Sequence, residues 1–319
     1  MQMQKMNTSK DTKKYEKQEE SGPLSTSNKK GAIFFAYNNE QLDYVKLACL
    51  SATSVKKHLN LSCMMITDSG SLAYSDANLY SSGIFDDVKV YEKTDSTENI
   101  RNYYDTPYAR YKAQFNNLNK HEVFDLSPYD QTILFDVDYL VNNNILNLAF
   151  NIASPIQLYK NAHTLKNAEP DHIFDKRLND VSIPLYWSTV IYFNKSVESK
   201  LFFNMWAHVK ENYEYYQSLY KFPEGLYRTD FAVSISMHLL KSFYDCVDDV
   251  FAELPGTPMK YMAYKDDIDS VTKDGIIFFA NDQKEEWKNI LTYSEGENLH
   301  MMNKRAIERH YDELMELYV

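Results

Sequence analysis

Thr132-Ile133-Leu134-Phe135-Asp136-Val137-Asp138-Tyr139-Leu140-Val141 is an apolar run interrupted once, by two carboxylates one residue apart. Four apolar-leaning residues ending at a polar position have the pattern of a buried strand in a parallel sheet. Ligands of open α/β sheets sit at the carboxyl ends of such strands. Two acids delivered there are costly unless positive charge meets them. A divalent cation holding a diphosphate meets that need, because hard cations take carboxylate and phosphate oxygens together. A second Asp-x-Asp, Asp267-Ile268-Asp269, stands in the polar stretch 265–270 and reads as a solvated loop.

Upstream, Ala32-Ile33-Phe34-Phe35-Ala36-Tyr37 and Cys63-Met64-Met65-Ile66-Thr67 read as two further strands, closing on Asn38-Asn39 and on Asp68. Leu42, Val45, Leu47, Ala48, Ala52 and Val55 mark a helix to about Leu59. A helix over 72–80, a strand over 87–91 and a helix over 105–124 are expected before the acid strand. Alternation at this pace predicts a parallel sheet with right-handed crossovers. Downstream, 185–194 reads as a long strand, 197–216 and 229–242 as helices, 246–250 and 276–279 as short strands, and 304–317 as a final helix. Residues 1–30 are almost free of apolar side chains and read as a disordered, mildly basic tail, leaving 31–319 as a single domain.

The chain has 319 residues, 44% of them hydrophobic, enough to bury a substantial core. Its net charge of −11 disfavours non-specific clamping on duplex DNA. Cys49, Cys63 and Cys246 are far apart, fit no zinc spacing and read as buried free thiols of a reducing compartment. No run approaches the ~18 apolar residues of a membrane span, and the N-terminus has no apolar signal core. The expectation is a cytoplasmic protein (host cytoplasm if the chain is viral) without membrane insertion.

The order of these parts resembles the nucleotide-sugar glycosyltransferases of the GT-A fold. That is a Rossmann-like α/β fold whose mostly parallel sheet is flanked by helices. Within it, the chain is similar to the glycogenin-like retaining transferases. Tyr108-Ala109-Arg110-Tyr111-Lys112 stands where that family has Thr-x-x-Lys on a helix. Trp187-Ser188-Thr189-Val190-Ile191-Tyr192-Phe193-Asn194 is similar to its Asn-Ser-Gly strand, with Thr189 replacing the Gly. Tyr227-Arg228-Thr229-Asp230-Phe231 is similar to its acid-bearing helix start, with Phe231 replacing a Gln. Asn298-Leu299-His300-Met301-Met302-Asn303-Lys304 resembles its C-terminal His segment. The wording of 127–132 ahead of the acid strand is also similar to transferases encoded by tailed phages.

The resemblance implies a set of roles. Asp136, Asp138 and His300 hold Mn²⁺ (or Mg²⁺), a mixed oxygen and nitrogen set that suits these ions. Lys112, Arg110 and Lys304 neutralise the diphosphate. Asp230 accepts hydrogen bonds from donor-sugar hydroxyls, and Asn194 and Trp187 line the sugar pocket; Asp230, Lys112 and Asn194 are the groups nearest the chemistry. Apart from the resemblance, Tyr37, Asn38 and Asp68 lie at the ends of the first two strands, where the switch-point rule expects them to surround base and ribose. The implied activity is metal-dependent transfer from a nucleotide-sugar donor, expected to be a UDP-sugar, with retention. The acceptor stays open between a modified DNA base, a glycan, a protein and a small molecule. Three other classes are weighed: a non-catalytic sugar-nucleotide-binding protein, a nucleotidyltransferase, and a haloacid-dehalogenase-type phosphohydrolase, which shares a strand-borne Asp-x-Asp. Leu140 stands where the phosphohydrolases carry Thr or Val, and their later motifs are not met in order. A nucleotidyltransferase would need a Gly-rich basic loop where Asn38-Asn39-Glu40-Gln41-Leu42 stands.

Overall fold

The computed structural model describes residues 28–74, 81–92, 98–104, 109–170, 172–180, 182–243, 251–281 and 288–319. The bulk of the expected tail, part of the helix expected over 72–80, Tyr108, Cys246 and the strand expected over 246–250 lie outside them. In chain order the elements begin with β1 (Lys30–Phe35), α1 (Tyr44–Leu59), β2 (Ser62–Thr67), α2 (Ser69–Ala73) and β3 (Asp87–Val90). A hairpin follows, β4 (Ile100–Tyr104) and β5 (Arg110–Gln114), then a 3₁₀ turn (Lys120–Glu122) leading into α3 (Val123–Leu126). Next come β6 (Gln131–Phe135), β7 (Tyr139–Leu140), β8 (Ile156–Tyr159), β9 (Ala162–Thr164) and β10 (Trp187–Asn194). Three helices follow: α4 (Val197–Glu211), α5 (Tyr213–Tyr220) and α6 (Thr229–Phe243). The remainder is β11 (Phe251–Glu253), β12 (Met259–Met262), β13 (Asp267–Thr272), β14 (Gly275–Asn281), β15 (Asn289–Ser294), β16 (Leu299–Met301), α7 (Lys304–Arg309) and α8 (Tyr311–Glu316).

Seven strands form the central sheet in the order β11-β8-β10-β6-β1-β2-β3. Its pairs are parallel except where β10 meets β6 and β8. The mostly parallel sheet flanked by helices that the sequence led us to expect is therefore present. β1, β2, α1 and β6 lie close to the expected positions, and their buried faces explain the match: β1 and β2 each bury five successive residues. Phe34 of β1 stacks on Phe135 of β6, ring centroids 5.7 Å apart. From β1 the chain builds the sheet outward through β2 and β3, then returns to the other side of β1 to lay down β6. The strand order reverses at the β1–β6 boundary, and such reversal points open a crevice at the carboxyl ends of the strands.

Four differences from the sequence expectations are physical. Of the helix expected over 105–124, only the 3₁₀ turn at Lys120–Glu122 and the start of α3 are helical among the described residues; Ile100–Tyr104 and Arg110–Gln114 pair as an antiparallel ribbon instead, with Tyr103 stacked on Tyr111. Asp267-Ile268-Asp269 is not a loop but the start of β13, an edge strand of a three-stranded antiparallel sheet. The tail boundary falls short of residue 30: Lys30 already pairs with Gln131, and the Lys29 amide donates to Asp130 Oδ2 at 2.9 Å. The helix expected over 197–216 breaks at Asn212 into α4 and α5. A four-stranded sheet, β7-β16-β12-β9, which no sequence pattern announced, stitches the C-terminal segment to the residues just after the acid strand.

Candidate metal and diphosphate site

β6 ends at Phe135, and the chain turns at once. The Asp136 amide donates to the Thr189 carbonyl of β10 at 2.8 Å, and the Tyr139 amide donates back to the Asp136 carbonyl at 3.2 Å. Val137 is buried inside this turn while the two carboxylates stay on its polar side. The turn is locked from the C-terminal segment. β16 pairs His300 with Tyr139, and the Met301 amide donates to the Asp138 carbonyl at 2.8 Å. That ladder carries His300 to the acid pair: ligand atoms of Asp136, Asp138 and His300 lie within 4.8 Å of one another. His300 Nε2 is 3.4 Å from Asp138 Oδ2, and its Nδ1 is 3.3 Å from Thr189 Oγ1. Asp138 is 2% exposed and His300 6%. Two carboxylate oxygens from one turn and one imidazole nitrogen from β16, facing one cavity, are a donor set that could hold a divalent cation.

Two lysines complete the floor. Lys120 Nζ donates to Asp136 Oδ1, and Lys304 Nζ donates to Asp138 Oδ2. Lys120 opens the short helical segment before β6, and Lys304 opens α7, whose N-cap Asn303 accepts from the Ala306 amide. The two acids titrate in opposite directions. Burial, aided by the charge of Asp138, pushes the Asp136 carboxyl above its ordinary value in spite of Lys120. Burial opposes the charge on Asp138 too, but Lys304 and then His300 overcome it and hold that carboxyl well below the usual range. Lys304 is raised in return: burial alone would lower it, and Asp138 outweighs that.

The acid pair opens into a cavity of about 890 Å³. Arg101 of β4 lines it, donating to the Tyr227 carbonyl at 2.9 Å and lying over the Phe115 ring at 3.6 Å. On the far wall the Ser188 amide and hydroxyl both donate to Asp230 Oδ1, at 2.8 and 2.6 Å, while Arg228 stands 3.8 Å from Asp230 Oδ2. Asp230 sits in the first turn of α6, where the helix dipole favours a carboxylate. Asp175 lines the cavity beside Arg228 and Asp230, and its carboxyl is raised, by burial first. Trp187 packs edge-on to His300, ring centroids 6.3 Å apart.

The sequence-predicted residues thus divide. Asp136, Asp138, His300, Lys304, Asp230 and Trp187 all face one cavity. Arg110 and Lys112 do not: they are exposed on β5, and neither lines it. Lys120 and Arg101, which the sequence reading passed over, line the cavity instead. Asn194 is at the wrong end of β10. It pairs with Gln131, the first residue of β6, because β10 runs antiparallel, so only 187–189 reach the acid pair. Tyr37, Asn38 and Asp68 do sit at the ends of β1 and β2, but they bond to neighbouring segments rather than line the cavity. The Asn38 amide donates to Ser71 Oγ at 2.8 Å, Asp68 Oδ1 accepts from the Ser71 amide at 2.6 Å, and the Tyr37 amide donates to Asn117 Oδ1 at 3.1 Å. Of that neighbourhood, Phe35 and Asn117 line the cavity. Among the described residues no helix is long and apolar enough to cross a membrane.

No protein-family model matches the chain, and no curated protein sequence does. Among solved structures it is similar to mouse xyloside xylosyltransferase 1, at 14% identity and TM-score 0.42, over 74% of this chain and 88% of that one. It is similar to the galactosyltransferase LgtC bound to donor and acceptor sugar analogues, at 13% identity and TM-score 0.39, over 65% of this chain and 70% of that one. It is also similar to a 4-diphosphocytidyl-2C-methyl-D-erythritol synthase from Anaerococcus prevotii, at 12% identity and TM-score 0.35, over 71% of this chain and 86% of that one. The functional reading rests on the site itself.

Proposed function

We propose that the chain is a metal-dependent glycosyltransferase that moves a sugar from a nucleoside diphosphate to an acceptor. The observation that carries this reading is the convergence of Asp136, Asp138 and His300 within 4.8 Å, on the floor of a cavity that also holds Lys120, Lys304, Arg101 and Arg228. Basic and acidic side chains lining the cavity are equal in number in a protein whose net charge is −11, so an anionic ligand meets less repulsion there than the chain's overall charge would give. Asp136, Asp138 and His300 would hold Mn²⁺ or Mg²⁺. When bound, that ion supplies Lewis-acid stabilisation of the leaving diphosphate. Lys304 and Lys120 add fixed positive charge to the same oxygens. Asp230, oriented by Ser188, offers a carboxylate oxygen to sugar hydroxyls, and Trp187 walls the pocket. A UDP-sugar donor and retention of configuration follow from the resemblance, and the acceptor is left open.

The test is thermal stability against a panel of nucleotides and nucleotide sugars, with and without Mn²⁺. A ligand at 100 times its dissociation constant adds about 2.7 kcal/mol. The expected result is a stabilisation of several degrees that needs Mn²⁺ and is followed, on incubation, by sugar release from the donor. Phosphate release without sugar transfer would make the protein a phosphohydrolase. Binding with neither would make it a sugar-nucleotide-binding protein.

A further inference from the structure

The charges at the floor of the cavity cancel. Asp136 and Asp138 supply two negative charges, Lys120 and Lys304 two positive ones, and each lysine sits directly on one carboxylate. The pairing is atom-specific. Lys304 Nζ bonds to Asp138 Oδ2, the same oxygen that faces His300 Nε2 at 3.4 Å and so points at the metal position. Lys120 Nζ bonds to Asp136 Oδ1. A cation and these ammonium groups therefore compete for the same carboxylate oxygens. By side chain, Asp138 is 3% exposed and Lys304 14%, Lys120 7% and Asp136 20%, so the Lys304–Asp138 pair is the better shielded and both are screened only in part by solvent.

We infer that the metal does not bind this protein by itself but enters together with the diphosphate, with Lys304 and Lys120 acting as the exchange partners that couple the two. The inference rests on the metal reading above. A divalent cation alone meets a site whose protein charge is already balanced, and gains a carboxylate oxygen only by leaving a buried ammonium without its partner. A diphosphate alone meets lysines already committed to carboxylates. Together they exchange partners: the carboxylates pass to the cation, the ammonium groups pass to the phosphate oxygens, and no buried charge is left unpaired. The coupling is reciprocal, so each ligand raises the affinity of the other by the same factor. Lys304 and Lys120 are then positioning residues whose removal should strengthen metal binding while weakening diphosphate binding. A purely structural role would weaken both.

The experiment is equilibrium dialysis of the full chain at fixed free Mn²⁺, with and without inorganic pyrophosphate as a base-free diphosphate. Wild type should bind Mn²⁺ at least tenfold more tightly when pyrophosphate is present. Lys304→Met should bind Mn²⁺ alone at least tenfold more tightly than wild type and lose most of the pyrophosphate enhancement. Lys304→Arg, which keeps the charge, should behave as wild type. Should Lys304→Met fail to fold, Lys120→Met is expected to shift Mn²⁺ affinity in the same direction. The inference is overturned if wild type binds Mn²⁺ equally well without pyrophosphate, or if neither methionine variant tightens Mn²⁺ binding. In those two cases the metal site stands. If wild type takes up Mn²⁺ under neither condition, the metal reading falls along with the inference.

Discussion

Asp136-Val137-Asp138 and Asp267-Ile268-Asp269 have the same composition pattern, two carboxylates around an aliphatic residue that is 5% exposed in both. The first is a turn at the end of a central strand, and its acids face inward. The second begins an edge strand, and its acids face out. Asp269 bonds to Ser270 next to it, and Asp267 meets Arg309 at 2.6 Å on a partly exposed surface. The acids of the first copy are met by Lys120, His300 and Lys304, and Lys304 lies 166 residues from Asp138 in the chain. A carboxylate pair becomes a site when the fold brings distant positive groups and an imidazole to it and keeps water sparse. Its local sequence is common to both cases.

The sharpest way to break the comparison is Asp138→Asn. It leaves Lys304 buried without a counter-charge, and removing one partner of a buried pair costs about 3–5 kcal/mol. Chemical denaturation should record that loss, and Mn²⁺-dependent nucleotide-diphosphate binding should vanish with it. Adding Lys304→Met to Asp138→Asn should restore most of the stability and none of the metal binding. If the double variant is no more stable than the single one, the ion pair is not what the substitution broke. The pH dependence follows from the shifts. Asp138 is depressed and Lys304 raised, so the pair contributes from about pH 4 up to about pH 10, and its contribution is lost as acid titrates the carboxylate through and below that lower limit.

Asp266, one residue before the second copy, comes next. It is 5% exposed, accepts from the Ala263 and Asn281 amides at 2.8 Å each, and burial pushes its carboxyl up to about 6. The folded state therefore holds this proton more tightly than the unfolded chain between pH about 4 and 6, and stability falls as pH rises through that window. The lost contribution is about 3 kcal/mol at 1.36 kcal/mol per pH unit. Asp266→Asn should flatten the slope. A stability curve just as steep in the variant would assign it to another group.

The smallest effect is expected at Asp267→Asn. An exposed ion pair contributes about 0–1 kcal/mol, so stability should change by less than that and Mn²⁺ binding not at all. A measurable loss of Mn²⁺ affinity here would mean that the second copy also takes part in the site.

Much of this contrast was readable from the chain itself. The apolar residues that deliver Asp136 are the ones that bury β6, and the polar surroundings of Asp267 do mark an exposed segment, although its strand conformation escaped. The ribbon at 100–114 was misread as helix, yet its signal was present. Tyr103, Tyr104 and Tyr111 favour strands, and Arg110, Lys112 and Ala113 show the out-out-in pattern of a short half-buried strand rather than a helical face. Lys120 had little signal, since it stands in the polar run Lys120-His121-Glu122, three residues before the buried Val123-Phe124. Arg101 had none, because its place depends on where the ribbon lies over Tyr227. Asn194 failed for a topological reason. No local pattern states that β10 runs antiparallel, and that direction alone decides which end of the strand meets the acids.

The ladder between β16 and β7 also fixes the order in which the site is made during synthesis. Asp138 leaves the ribosome well before the residue that neutralises it, which is 166 positions behind. At roughly 5–20 residues per second, the carboxylate waits on the order of 8–30 s for Lys304. Throughout that interval the end of β6 carries a charge with no buried partner, so the turn cannot be sealed from water until the last elements arrive. The floor of the cavity is synthesised midway through the central sheet, after three of its seven strands, and is one of the last parts to be finished.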